Sequence, residues 1–249
     1  MTTRDTTVAV FRPDDERLRD AVELIESLGA TPVADPMLEV RETGASPRAD
    51  ADYTVLTSKT GAELARSAGW DPNETTVCAI GQATADALEE QGYEVDVVPD
   101  AYSSTGLVEA LADAVDGARV EVARSDHGSQ VLIDGLEDAG AYVHETVLYE
   151  LVCPDGAGES VDLAAAGDLD AACFTSSLTV GNFLATADER GVREAAVEGL
   201  NDAVVGVIGV PTRETAESLG IAVDVVPENA DFDELACAVV EESAPTHHD

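Results

Sequence analysis

A chain of 249 residues is long enough for two modest domains, each with its own core. Its 13 basic and 51 acidic residues give a formal net charge of −38, spread along the whole chain, so there is no basic face to bind nucleic acid. Hydrophobic residues make up 45%, yet no run approaches the roughly 18 apolar residues of a membrane span. The polar start, Met1 to Thr7, predicts a cytoplasmic protein. Dispersed acids suit solubility in concentrated salt, where screening lengths fall to roughly 3 Å at 1 M. No exposed heptad or apolar strand edge is evident, so a monomer is expected.

Val8 to Phe11 reads as a short buried strand. Pro13-Asp14-Asp15 opens a helix whose apolar face is Leu18, Val22, Ile25 and Leu28, and Gly29 ends it. Met37 to Glu42 reads as a strand before a Gly/Pro loop, Gly44 to Pro47. Tyr53 to Leu56 is an apolar run closed by Thr57-Ser58. Residues 76–80 and 84–91, then 119–123 and 129–139, read as strand–helix pairs ended by Gly92 and Gly140. Val147 to Val152 reads as another strand, followed by the loop Pro154 to Gly158, and 155–167 is a short low-complexity stretch. Ala171 to Phe174 closes on Thr175-Ser176, and residues 204–208 and 211–219 form the last pair, ended by Gly220. Strands alternating with ten-residue helices predict parallel sheets covered on both faces.

The chain states one pattern twice. Gly81 to Pro99 and Gly209 to Pro227 share their internal spacing at an offset of 128, including Thr84 and Thr212 and the runs Val95-Asp96-Val97-Val98-Pro99 and Val223-Asp224-Val225-Val226-Pro227. Phe11-Arg12 matches Ala123-Arg124, and Leu28-Gly29-Ala30 matches Ala139-Gly140-Ala141. The predicted fold class is α/β, with two similar parallel-sheet domains from a duplicated unit. One domain takes residues 1–36 plus 154–249, the other 47–145. Segments 37–46 and 146–153 are expected to join them as a two-stranded antiparallel connector, giving a hinge and a cleft.

Ligands of parallel α/β folds bind where strand ends meet helix starts. Thr57-Ser58, Gly81 with Thr84, Thr175-Ser176-Ser177 and Gly209 with Thr212 all fall at such ends. Their hydroxyls can cap helices, and free N–H groups there can hold an anion. No G-x-G-x-x-G follows a strand, and neither a P-loop nor a G-x-S-x-G elbow occurs. Cys78, Cys153, Cys173 and Cys237 lie far apart and read as free thiols. His127, His144, His247 and His248 make no metal-ligand spacing, and the His247-His248 tail is expected to be unstructured. Tyr149 lies in a predicted connector strand; packing alone explains it, but a phenol in a cleft can also donate a proton to a departing oxygen.

Taken in order, Asp52 to Ser58, Ile80-Gly81-x-x-Thr84, Gly92-Tyr93, Val98-Pro99, Ser103 to Leu107, Gly140, Val147-Leu148-Tyr149, Phe174 to Ser177 and Ile208-Gly209-x-x-Thr212 resemble the uroporphyrinogen-III synthase family over about residues 8 to 240. The resemblance implies two α/β domains joined by a two-stranded ladder. It also implies cyclisation of hydroxymethylbilane to uroporphyrinogen III with ring D inverted, and no cofactor or metal. It assigns Tyr149 to assisting departure of the hydroxyl. It assigns substrate contact to Thr84 and Thr212, to the turns at Thr57, Ser58, Ser176 and Ser177, and to Ser103, Arg12 and Arg124. Lys59, the only lysine, stands where the family usually has Asn, and is a further candidate contact or a solvated side chain. The substrate is a polyanion, which long-range repulsion from this chain opposes and salt screens. A cytoplasmic two-lobed anion-binding or regulatory protein without catalysis is the alternative reading.

Overall fold

The structure, a computed structural model, describes residues 6–244; His247 and His248 lie outside the described residues. In chain order the elements are β1 (Thr7–Phe11), α1 (Glu16–Ser27), β2 (Thr31–Ala34), β3 (Glu39–Glu42), β4 (Tyr53–Leu56), α2 (Lys59–Ser67), β5 (Thr76–Ala79), α3 (Gln82–Glu90), α4 (Ser104–Leu111) and β6 (Arg119–Ser125). They continue with α5 (Gln130–Asp138), β7 (Tyr142–Val152), α6 (Glu159–Ala166), β8 (Ala171–Phe174), α7 (Ser177–Glu189), α8 (Arg193–Asp202), β9 (Val204–Val207), α9 (Val210–Ser218) and α10 (Phe232–Ser243). Among the described residues, no helix is long and apolar enough to cross a membrane.

The chain divides into two compact units. One takes the described chain up to Glu39 and from Val152 onward; the other is Val40–Leu151. The first holds a sheet in the order β2-β1-β8-β9, the second one in the order β3-β7-β6-β4-β5. Within each, β1 runs parallel to β2 and β8, and β8 to β9; likewise β6 runs parallel to β7 and β4, and β4 to β5. Strand for strand, β2-β1-β8-β9 repeats β7-β6-β4-β5.

The repeated sequence motifs have repeated structural work. Val97 bridges Cys78, and Val225 bridges Gly206, each as one further parallel contact at the sheet edge. Beside them, Asp96 accepts from the Val77 N–H and Asp224 from the Val205 N–H, both at 2.8 Å. Each carboxylate satisfies an edge-strand donor that has no neighbouring strand. Asp52 and Asp170 accept from the first N–H groups of the interior strands β6 and β1, those of Arg119 and Thr7, again at 2.8 Å. Gly92 and Gly220 end their helices at φ +88 and +90, a left-handed turn in which a side chain would be strained.

Packing differs between the units. In the first, Phe11 stacks on Phe174 at 4.3 Å between ring centroids, and Phe183 meets both edge-on. All three rings are fully buried, worth about 1.5–3 kcal/mol each in transfer terms. In the second, Trp70 tilts against Tyr93 at 5.1 Å, and the Tyr93 hydroxyl donates to the Trp70 carbonyl at 2.9 Å.

Two predicted segments differ in the structure. Met37 is not a strand residue; its side chain is fully buried in the first unit, with Sδ 3.9 Å from Cys153 Sγ. The predicted strand Val147 to Val152 is the second half of one eleven-residue strand, β7, paired with β6 back to Tyr142. The small-residue stretch 155–167 follows the expected loop with a helix, α6, over Glu159–Ala166. That helix packs on α8, where Gly199 comes so close to the Ala164 carbonyl that any Cβ would overlap it.

Burial sorts the four thiols. Cys78 and Cys173 are pushed up to about 12 by burial, with Asp96 adding to the effect at Cys78. Cys153 is raised by burial, and Cys237 is exposed. Native protein treated with a maleimide at pH 8 should therefore label first at Cys237, slowly at Cys153, and at Cys78 and Cys173 only after unfolding. Peptide mass spectrometry reads the order; prompt labelling of Cys78 would contradict the buried edge contact.

Candidate functional site

In the Val40–Leu151 unit, β4 ends at Leu56 and the chain turns through Thr57 into Ser58, the extended N-cap of α2. Ser58 Oγ accepts the Gly61 N–H at 2.9 Å, which satisfies one of the free donors of the helix start. The Tyr149 hydroxyl, arriving from β7, donates to the same Oγ at 2.9 Å. Tyr149 is 7% exposed. Lys59, the first residue of α2, is exposed.

Next to α2, α3 begins at Gly81 without any side-chain cap. Its first-turn N–H groups therefore face the strand end, the arrangement that holds anions. Gly81 lets Tyr102 lie close, since a Cβ would stand 3.0 Å from Cβ and Cγ of Tyr102 and crowd it. Thr84, third in the helix, is buried. Ser103 caps α4 and accepts the Gly106 N–H at 3.1 Å.

The other unit carries the matching turns. Ser176 caps α7 and accepts the Thr179 N–H at 3.2 Å. Thr175 donates to the Phe11 carbonyl at 2.7 Å, tying the turn to β1. Ser177 donates to the Pro211 carbonyl at 3.1 Å and accepts from Thr215 at 2.9 Å, which ties α7 to α9. Helix α9 starts at Gly209, again without a side-chain cap, and Thr212 is again third and buried. Arg12, at the end of β1, lays its guanidinium 4.6 Å above the Phe232 ring. Burial and the neighbouring Arg17 lower its pKa from the ordinary value.

Sequence reasoning therefore located the turns, and the structure joins Tyr149 directly to Ser58. Arg124 stands apart from the candidates. It is 3% exposed, with Nε donating to Glu145 at 2.6 Å and Nη1 to the Ser129 carbonyl at 2.5 Å. Gly128 leaves the room its guanidinium occupies. Two of its donors are thus engaged by β7 and by the cap of α5. Gly61, Tyr102 and Thr179 were not singled out in the sequence. The signal for Gly61 was present: a glycine three residues after the cap, where the duplicate has threonine. The buried Glu121, hydrogen-bonded to His144 at 2.7 Å, was also missed; it lies towards the other end of β6. Among the described residues, no group of three or more His, Cys, Asp or Glu could hold a metal ion.

The fold and its turns define a class: a duplicated parallel α/β protein with hydroxyl-bearing and uncapped helix starts at its strand ends. Comparison with known proteins narrows this. A family model for uroporphyrinogen-III synthase HemD matches residues 19–237. The chain belongs to the uroporphyrinogen-III synthase family, enzymes of porphyrin biosynthesis with a lyase-type cyclisation. A protein from Methanothermobacter thermautotrophicus is 35% identical over 248 residues, covering 93% of this chain and 96% of its own. The uroporphyrinogen-III synthase of Synechococcus elongatus is 30% identical over 200 residues, covering 77% and 75%. Two crystal structures share the fold: a mutant uroporphyrinogen III synthase of Thermus thermophilus (TM-score 0.67, 19% identity, 96% and 98% covered) and the Helicobacter pylori synthetase (0.61, 15%, 96% and 99%).

Proposed function

We propose that this chain converts linear hydroxymethylbilane into uroporphyrinogen III, with loss of water and inversion of ring D, at its strand-end turns. The terminal C–O bond breaks and the hydroxyl leaves with its bonding pair. A pyrrole nitrogen supplies the electrons. The resulting cation closes on the substituted carbon of ring D through a spiro intermediate. Little acid strength is asked of the protein: Tyr149 stabilises the departing oxygen, and the larger task is holding the bilane in a closing conformation.

The single observation that carries this reading is the Tyr149–Ser58 hydroxyl pair next to the uncapped start of α3. It sets a proton donor and free N–H donors on one rim. Within the Val40–Leu151 unit the bilane carboxylates meet first-turn N–H groups of α3, with Lys59 and Ser103 as charged or polar contacts; in the other unit the start of α9 and Arg12 offer donors of the same kind. Thr57, Ser176 and Ser177 shape the turns, and Thr84 and Thr212 orient the uncapped helix starts from beneath. Such donors act at contact distance, where a net charge of −38 weighs less than it does at long range. The same reading makes 37–46 and 146–153 the link between the domains, with β3 antiparallel to β7.

Thr84→Ala and Thr212→Ala are expected to raise the apparent KM several-fold, while Cys78→Ala, a core change, leaves KM near that of the parent. Steady-state kinetics with hydroxymethylbilane decide this. Equal effects of all three substitutions would argue against the threonine sites.

A further inference from the structure

The duplicated turns are alike in backbone and unlike in one side chain. Ser58 (φ −158, ψ 155) and Ser176 (φ −161, ψ 157) cap their helices in the same extended conformation. Three residues on, one unit has Thr179 and the other Gly61. Thr179 fills its turn: its Oγ1 lies 3.4 Å from Ser176 Oγ and donates to the Ser176 carbonyl at 2.8 Å. At Gly61 a Cβ would stand 3.1 Å from Ser58 Oγ and 3.7 Å from Leu148 Cδ1, beside Tyr149. With no side chain there, the phenol of Tyr149 supplies the second hydroxyl of the turn.

The bond count at Ser58 is then fixed. A serine oxygen has two acceptor lone pairs, and Ser58 Oγ receives two protons, from the Gly61 N–H and the Tyr149 O–H. Tyr149 is thereby held at one angle; when substrate binds, the Ser58 hydroxyl rotates to donate to the phenol oxygen instead, which releases the phenol's single proton towards the departing hydroxyl. We propose that Ser58 and Gly61 are positioning residues for Tyr149: the serine fixes the phenol, and the glycine, whose Cβ would crowd Ser58 Oγ at 3.1 Å, leaves that oxygen where it meets the phenol. The inference rests on the reading that Tyr149 assists departure of the hydroxyl, and it assigns Ser58 to the phenol rather than to substrate carboxylates.

A double-mutant cycle tests it. Full-length protein carrying Ser58→Ala, Tyr149→Phe or both is assayed with hydroxymethylbilane, kcat and KM taken separately. Ser58→Ala is expected to lower kcat about tenfold with KM within about twofold, and to change kcat less than about twofold once Tyr149 is phenylalanine. Gly61→Ala is the second variant, since alanine favours helix. It should keep the melting temperature yet lower kcat, and only while Tyr149 is present. Equal losses from Ser58→Ala in both backgrounds, with a slow Tyr149→Phe, overturn the positioning role while leaving the Tyr149 reading intact. A Tyr149→Phe enzyme of parental kcat overturns both.

Discussion

Tyr149→Phe is expected to slow turnover about a hundredfold without abolishing it. General-acid assistance is worth about 10²–10⁴ in rate, and the low end applies because the pyrrole nitrogen already drives the leaving group out. The change removes one oxygen from a ring that is 7% exposed and leaves the ring's place in the apolar core of its unit unchanged. The lost hydrogen bond to Ser58 costs about 1 kcal/mol of stability. The melting temperature should therefore fall only a little while kcat falls greatly, with KM nearly constant. Turnover within about twofold of the parent would remove Tyr149 from the chemistry.

The largest expected loss of stability is at Asp35, just beyond β2. Its buried carboxylate accepts the Gly158 N–H at 2.8 Å, the Ser160 N–H at 2.9 Å and the Ser160 hydroxyl at 2.5 Å. Helix α6 starts at Gly158, φ +112, with no side-chain cap of its own. Asp35 thus caps it from 123 residues away in sequence, joining the early segment of the discontinuous unit to its later one. Asp35→Ala leaves three buried donors unsatisfied and strips a charge-assisted cap from a helix start. The expected cost is about 3–4 kcal/mol, or roughly 6–16 °C in melting temperature for a chain of this size. Asp35→Asn, which keeps one acceptor oxygen, should cost less. Urea unfolding of both variants at one salt concentration measures this; a loss below about 1 kcal/mol for Asp35→Ala would contradict the capping role.

The parts legible in the sequence are those encoded locally. Helix starts and ends follow from Asp15, Ser58, Ser103, Ser176 and Asp231 as caps and from glycines such as Gly92 and Gly220. The duplicated turns were visible because equal spacing needs no partner to be read. What stayed hidden depends on partners far along the chain. His144-Glu145 interrupts the apolar pattern of residues 142–152, so the segment does not read as one strand. In the fold His144 pairs with one carboxylate oxygen of Glu121, and Glu145 with Arg124, so these polar residues find partners on the neighbouring strand. Arg124 looked like an anion contact because its matching position, Arg12, ends a strand; Glu145, 21 residues on, claims it. Small-residue helices such as α6 resemble linkers in composition, and only their close approach to α8 shows why alanine and glycine are needed there. The Ser58–Tyr149 pair spans 91 residues and has no local signature.

The most direct test of the account is the product of the purified protein acting on freshly generated hydroxymethylbilane in molar salt, oxidised and resolved by chromatography into type I and type III isomers. Uroporphyrin III is expected as the dominant product, its share rising with enzyme concentration. Type I alone, at the spontaneous rate, would contradict it.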